Sequence, residues 1–206
     1  MGKGITCFIS YKKEDDKYVT RIKKRLGEEK LDGKSLNEWI KSNDEEYIMQ
    51  EIRKRFMNNT KVTIFLIGEH SSEKEGKDDK GNDKNYFIKK ELQATLSEGK
   101  AYKRSGLLGV VLPSMRGKII FEKFKCPKCG KKHRVIKLND NNVIKEFSAN
   151  YYLKSNKKDL CSENESYCVV ASFADFMNTP EIFINRAYEK TKEPISKEVH
   201  WRDLRK

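Results

Sequence analysis

The sequence predicts an α/β fold, a parallel sheet with helices on both faces, and three observations predict it. Val62-Thr63-Ile64-Phe65-Leu66-Ile67 and Leu107 to Leu112 are short, continuous apolar runs, ended by Gly68 and Pro113. That is the pattern of strands buried on both sides. Segments with apolar residues at helical spacing lie between such runs. Strand and helix then alternate, with no internal repeat, which favours parallel pairing. A chain of 206 residues can bury one substantial core and carry an insertion.

The elements follow in order. Ile5 to Ser10 is a first strand, and Tyr11 to Asp16 is a polar turn. Tyr18, Val19, Ile22 and Leu26 share a helix face that Gly27 ends. Leu31 to Leu36 reads as a short second strand, and Trp39 follows in a segment that fits loop or helix. Asp44 to Met57 is a second helix, with Ile48, Ile52 and Phe56 on one side and Asn43 or Asp44 as its N-cap. The third strand starts at Val62. Ser71 to Lys84 is a glycine- and charge-rich loop, expected to lack core residues and to be mobile.

The third helix covers about Tyr86 to Glu98, with Phe87, Ile88, Leu92 and Leu96 near one face. Glu91 stands one turn after Phe87, so a carboxylate lies near the start of a helix that follows a central strand. Open α/β sheets bind ligands at that end. After the fourth strand, at Leu107, the alternation breaks between Arg116 and about Ser166. Ile119-Ile120-Phe121 and Val135-Ile136 read as two short strands around Cys126-Pro127-Lys128-Cys129-Gly130, and Val143 to Tyr152 reads as helical. Tyr167 to Ser172 is the last strand, and Asn178-Thr179-Pro180 opens a final helix. The expected organisation is one domain over residues 1–192, an insertion at 116–166, and a polar tail at 193–206 in which Trp201 and Leu204 are apolar.

The formal net charge of +13 invites a nucleic-acid reading. Lysine outnumbers arginine, however, and the lysines are scattered among acids and asparagines, so charge alone does not favour that partner. No apolar run is long enough to span a bilayer and no signal peptide opens the sequence, so a cytoplasmic protein without a membrane partner is expected. Of five cysteines, Cys7 falls inside a buried strand. Cys126 and Cys129 have the spacing of half a zinc ribbon. Cys161 and Cys168, with His133 as a substitute ligand, are candidates to complete a tetrahedral structural zinc; reduced, unligated thiols are the alternative.

Phe8-Ile9-Ser10-Tyr11 resembles the opening motif of TIR domains. Asn59 to Gly68, followed by Phe87-Ile88-Lys89-Lys90-Glu91-Leu92, resembles the third strand and catalytic helix of the TIR-like proteins of the Thoeris bacterial anti-phage system. Phe173 to Glu181 is similar to that group as well. The resemblance implies a flavodoxin-like fold with a five-stranded parallel sheet. It also implies an enzyme that cleaves NAD, releases nicotinamide and makes a cyclic or modified ADP-ribose signal. A downstream effector protein would sense that signal, and a phage-derived trigger or self-assembly would switch the enzyme on. The essential glutamate of the family falls on Glu91. Two features depart from the pattern: Phe87 stands where tryptophan is usual, and the loop from Glu69 to Asn85 is longer.

The chemistry suits one carboxylate. Nicotinamide leaves as a neutral molecule, and positive charge grows on the ribose as an oxocarbenium-like transition state forms. A fixed carboxylate can bond the ribose hydroxyls and stabilise that charge. With the flavodoxin-like strand order, Phe8, Ser10 and Tyr11 are expected to line the nucleotide pocket, Ser35 and Trp39 to cover it, and Phe87 to wall it. Phe8 equally reads as core, and Ser10 and Tyr11 as caps of the next turn. A non-catalytic TIR-like adaptor and a basic nucleic-acid binder are the competing functions.

Overall fold

The computed structural model describes residues 4–32, 36, 38–99, 102–125, 130–153, 165–202 and 204. Four strands form the main sheet: β1 (Cys7–Ser10), β2 (Val62–Ile67), β3 (Gly106–Val111) and β6 (Val169–Ser172). They lie side by side in that order, and every neighbouring pair is parallel. Among the described residues the sheet has four strands, where the resemblance implied five. Of the expected strand at Leu31 to Leu36, the described residues show a parallel bridge from Leu31 to Cys7, and residues 33–35 lie outside the described residues. Asp32 ties this stretch to β1 and to the residues before β2. Its backbone N–H donates to the Cys7 carbonyl at 2.7 Å, and its carboxylate accepts from Asn59 N and Thr60 Oγ1.

The sheet is a buried layer because β2 alternates between two apolar surroundings. Val62, Ile64 and Leu66 meet α1 (Asp16–Leu26), α6 (Phe173–Asn178) and α7 (Pro180–Lys190) in one cluster. Phe65 and Ile67 meet α3 (Tyr86–Leu96) and α5 (Lys145–Tyr151) in another. All six residues of β2 are buried. α2 (Glu45–Phe56) covers the β1 edge through Ile48, Met49, Ile52 and Phe56, which pack with Phe8 and Leu36. Asp44 caps α2, accepting from the N–H groups of Glu46 and Tyr47.

The interrupted region holds a short helix α4 (Arg116–Ile119) and an antiparallel hairpin of β4 (Ile120–Lys125) and β5 (Lys132–Ile136). Residues 126–129, between these strands, lie outside the described residues. Two expectations change. The loop after β2 does contribute buried residues, Ser71 and Ser72, and Glu73 N and Lys74 N donate to the carbonyls of Val143 and Asp140. Its acids, Glu73 and Asp83, also grip the buried Lys89 ammonium at 2.9 and 2.5 Å. The stretch after α7 also packs inward. Ile195 is buried, Trp201 lies against two core clusters, and Asn150 exchanges hydrogen bonds with the backbone of His200. Among the described residues no helix is long and apolar enough to cross a membrane.

Candidate active site

Two threonines fix α3 on the sheet. Thr63 on β2 and Thr95 on α3 share a buried hydrogen bond at 2.7 Å, and Thr95 Oγ1 also donates to the Glu91 carbonyl at 2.8 Å. The register between strand and helix therefore sets the height of Glu91. Its carboxylate lands beside the last residue of β1. Ser10 Oγ donates to Glu91 Oε2 at 2.6 Å, and Leu36 N donates to Oε1 at 2.7 Å. Glu91 is 1% exposed and Ser10 is fully buried. A glutamate on a helix is ordinarily solvated; this one is desolvated and held by two donors from distant parts of the chain.

Burial pushes the Glu91 carboxyl up to about 7, and the Ser10 hydroxyl and Leu36 N–H pull in the other direction. Each oxygen accepts one bond, which leaves lone pairs for a ligand. The group is thus poised between neutral and charged at physiological pH. Ser10→Ala removes one stabilising donor. The acid limb of any activity that needs ionised Glu91 is then expected to move up by about one pH unit. Turnover near neutral pH should fall several-fold and recover in alkaline buffer. A loss of the same size at every pH would show that Ser10 acts in another way.

An aromatic group stands at the start of α3. Trp39 is 48% exposed and stacks on Tyr86 with centroids 3.8 Å apart and planes at 28°. The Phe87 ring lies 5.5 Å from both. Trp39 and Phe87 therefore come together at the N-terminal turn of the helix that carries Glu91.

The remaining sequence-predicted residues divide. Phe8 is 1% exposed and packs beneath the site with α2, as a side chain in mid-strand does. Strand alternation sends Ser10 toward Glu91 and turns Tyr11 toward the α1 side, where its hydroxyl donates to Asp16 Oδ1 at 3.3 Å. Ser35 lies outside the described residues. So do Cys126, Cys129 and Cys161, while only the backbone of His133 is described. Cys168 is buried in the core, and its thiol contacts the Phe147 carbonyl at 3.6 Å. Among the described residues no group of three or more His, Cys, Asp or Glu side chains could hold a metal ion.

Three features escape sequence reasoning. The Leu36 amide holds Glu91, but a backbone donor leaves no sequence signal. Tyr86 completes the aromatic stack, and its position beside Phe87 was the available clue. Asp15 is the third. It is buried against Gly68 at the end of β2, its Oδ2 has no hydrogen-bond partner, and burial raises its carboxyl above the usual range.

Comparison with known proteins adds one match. The family model described as "Thoeris protein ThsB, TIR-like domain" matches residues 8–116, just over half of the chain. The matched span includes Ser10, Leu36, Trp39, Tyr86, Phe87 and Glu91 and stops at the first residue of α4. No curated protein matches the chain.

Proposed function

The chain belongs to the TIR-like domain family of the Thoeris protein ThsB, and from that premise we propose that it cleaves NAD at the bond between nicotinamide and ribose. The observation that carries the reading is Glu91: a buried carboxylate at the end of β1, held by Ser10 Oγ and Leu36 N. A preorganised carboxylate stabilises growing positive charge more effectively than a solvated one, because no water must reorganise as the charge forms. Its ionised form accepts hydrogen bonds from the ribose hydroxyls. The C–N bond then breaks, the bonding pair departs with neutral nicotinamide, and the ribose cation is captured on its open face. Capture by water gives ADP-ribose. Capture by an atom of the same molecule gives a cyclic product, which suits a signal read by a separate effector in anti-phage defence. The exposed Trp39 indole beside Tyr86 and Phe87 supplies a flat surface for an aromatic ring of the dinucleotide.

The test is direct. Purified protein is incubated with NAD, alone and with extract from phage-infected cells, and nicotinamide is followed by chromatography. Release that requires Glu91 and yields one ADP-ribose-derived product is expected. Intact NAD in both incubations would overturn the reading.

A further inference from the structure

A concavity lies at the end of the sheet opposite Glu91. A cavity of about 1090 Å³ opens where β2 and β3 begin, bordered by Arg53 of α2, the stretch after α3 and the end of α7. Glu91 and Ser10 sit where β1 ends, so the parallel strands separate the two places. Among the described residues six cations line the cavity: Arg53, Lys61, Lys103, Arg104, Lys192 and Lys197. Glu98 is the single carboxylate residue among the described lining side chains. Lys192 is paired with Glu189 at 2.7 Å, and Arg104 lies 3.9 Å from Glu98. Lys61, Lys103 and Lys197 make no ion pair among the described residues.

Arg53 carries the argument furthest. It is 7% exposed, a rare degree of burial for a guanidinium. Its Nη1 donates to Ala94 O at 3.3 Å and Ser105 Oγ at 2.9 Å, and its Nη2 donates to Lys103 O at 2.6 Å. All three acceptors are neutral. No carboxylate pairs with it among the described residues, although it stays protonated at any physiological pH. Hydrogen bonds to neutral oxygens orient a buried cation but do not balance its charge. Tyr102, 5.3 Å from the guanidinium carbon, and Tyr188, under the Lys192 ammonium at 4.4 Å, hold two of the cations over aromatic faces.

We infer that this cavity binds a small molecule carrying two or more phosphates, of which a nucleoside diphosphate is the representative class. Lys61, Lys103 and Lys197 reach the phosphate oxygens from the rim, and Arg53 supplies the counter-charge at the floor. Cationic side chains converging on a cavity of this size suit a compact anion. The inference is independent of NAD cleavage, since it concerns other residues at the other end of the strands.

The experiment is calorimetric titration of the full chain with pyrophosphate and, separately, with ADP. The wild type is compared with a Lys61→Ala, Lys103→Ala double variant, which spares the backbone acceptor at Lys103. Arg53 is left in place because its loss would free three acceptors. Trp39→Ala serves as the control at the far end. Submillimolar binding is expected, weakened about tenfold or more by the double substitution, and pyrophosphate, which has no ring to stack on Trp39, should bind Trp39→Ala unchanged. Equal affinity for the two anions would mean that phosphate alone is read; tighter ADP binding would add the tyrosine rings to the site. The inference fails if neither anion binds below about 1 mM. It also fails if the double variant binds as tightly as the wild type, or if Trp39→Ala weakens pyrophosphate binding instead.

Discussion

Glu91→Gln is expected to lower nicotinamide release by about a thousandfold, equivalent to about 4 kcal/mol of transition-state stabilisation, while making the protein more stable above neutral pH. The two effects share one cause. Glutamine keeps the shape, so its amide oxygen can accept from Leu36 N and its amide nitrogen can donate to Ser10 Oγ. It lacks the charge that an oxocarbenium-like ribose requires. The same charge is what the fold resists. The folded-state carboxyl titrates at about 7, against 4.5 when free of the fold. Between those values the native state binds more protons than the unfolded chain, so the contribution of this group to stability rises as pH falls from about 7 to about 4.5. Above pH 7 the wild type carries the full penalty of a desolvated carboxylate, on the order of 3 kcal/mol. Glutamine removes it and leaves one buried amide hydrogen unpaired, at a cost of about 1 kcal/mol. The variant should therefore melt higher than the wild type at pH 8, and the advantage should vanish near pH 4.5. A Glu91→Gln protein that turns over NAD normally would take the carboxylate out of the mechanism. One that loses activity together with stability at pH 8 would make the lost activity a folding effect.

The sequence displayed the elements that are periodic and hid what depends on three-dimensional closure. The apolar runs at Val62 and Leu107 and the stripes through Ile22, Ile52 and Leu92 correspond to β2, β3, α1, α2 and α3. Side-chain periodicity records which surfaces are buried, and that information is local. Residues 31–36 have strand-like composition; among the described ones Leu31 bridges to Cys7 while the Asp32 carboxylate holds Asn59 and Thr60. No local pattern contains that anchorage. At the site, Glu91 and Ser10 were legible through motifs at fixed places in the chain. Their mutual contact spans 81 positions, and the Leu36 amide joins them from 55 positions away. Such contacts are set by how α3 docks, which rests on the Thr63–Thr95 hydrogen bond. The cation-lined cavity was hidden for the same reason. A lysine-rich composition gives no indication that Lys61, Lys103 and Lys197, far apart in sequence, surround the buried Arg53.

Gly106→Ala is expected to destabilise the fold by about 2 kcal/mol or more, lowering the melting temperature by about 4 to 8 °C for a domain of this size. Gly106 opens β3 where α7 crosses it. A Cβ there would lie 2.1 Å from the Ala187 carbonyl oxygen and 2.5 Å from its carbon. Both atoms belong to the backbone of a helix, so no side chain can rotate away; α7 as a whole must lift. Lifting it would loosen Ala187 and Ile184 from Val110 and Ala171 in the cluster beneath. The loss of unfolded-state entropy on replacing glycine offsets the penalty by about 0.4–1 kcal/mol and does not reverse it. Gly117 in α4 provides the contrast. It has no atom within 4 Å of an added Cβ, and it lies in a helix, where alanine is favoured over glycine by up to about 1 kcal/mol. Gly117→Ala should therefore be neutral or stabilising in the same denaturation assay. Equal midpoints for the two variants would mean that α7 does not press on β3, and the close crossing that shapes this side of the sheet would have to be abandoned.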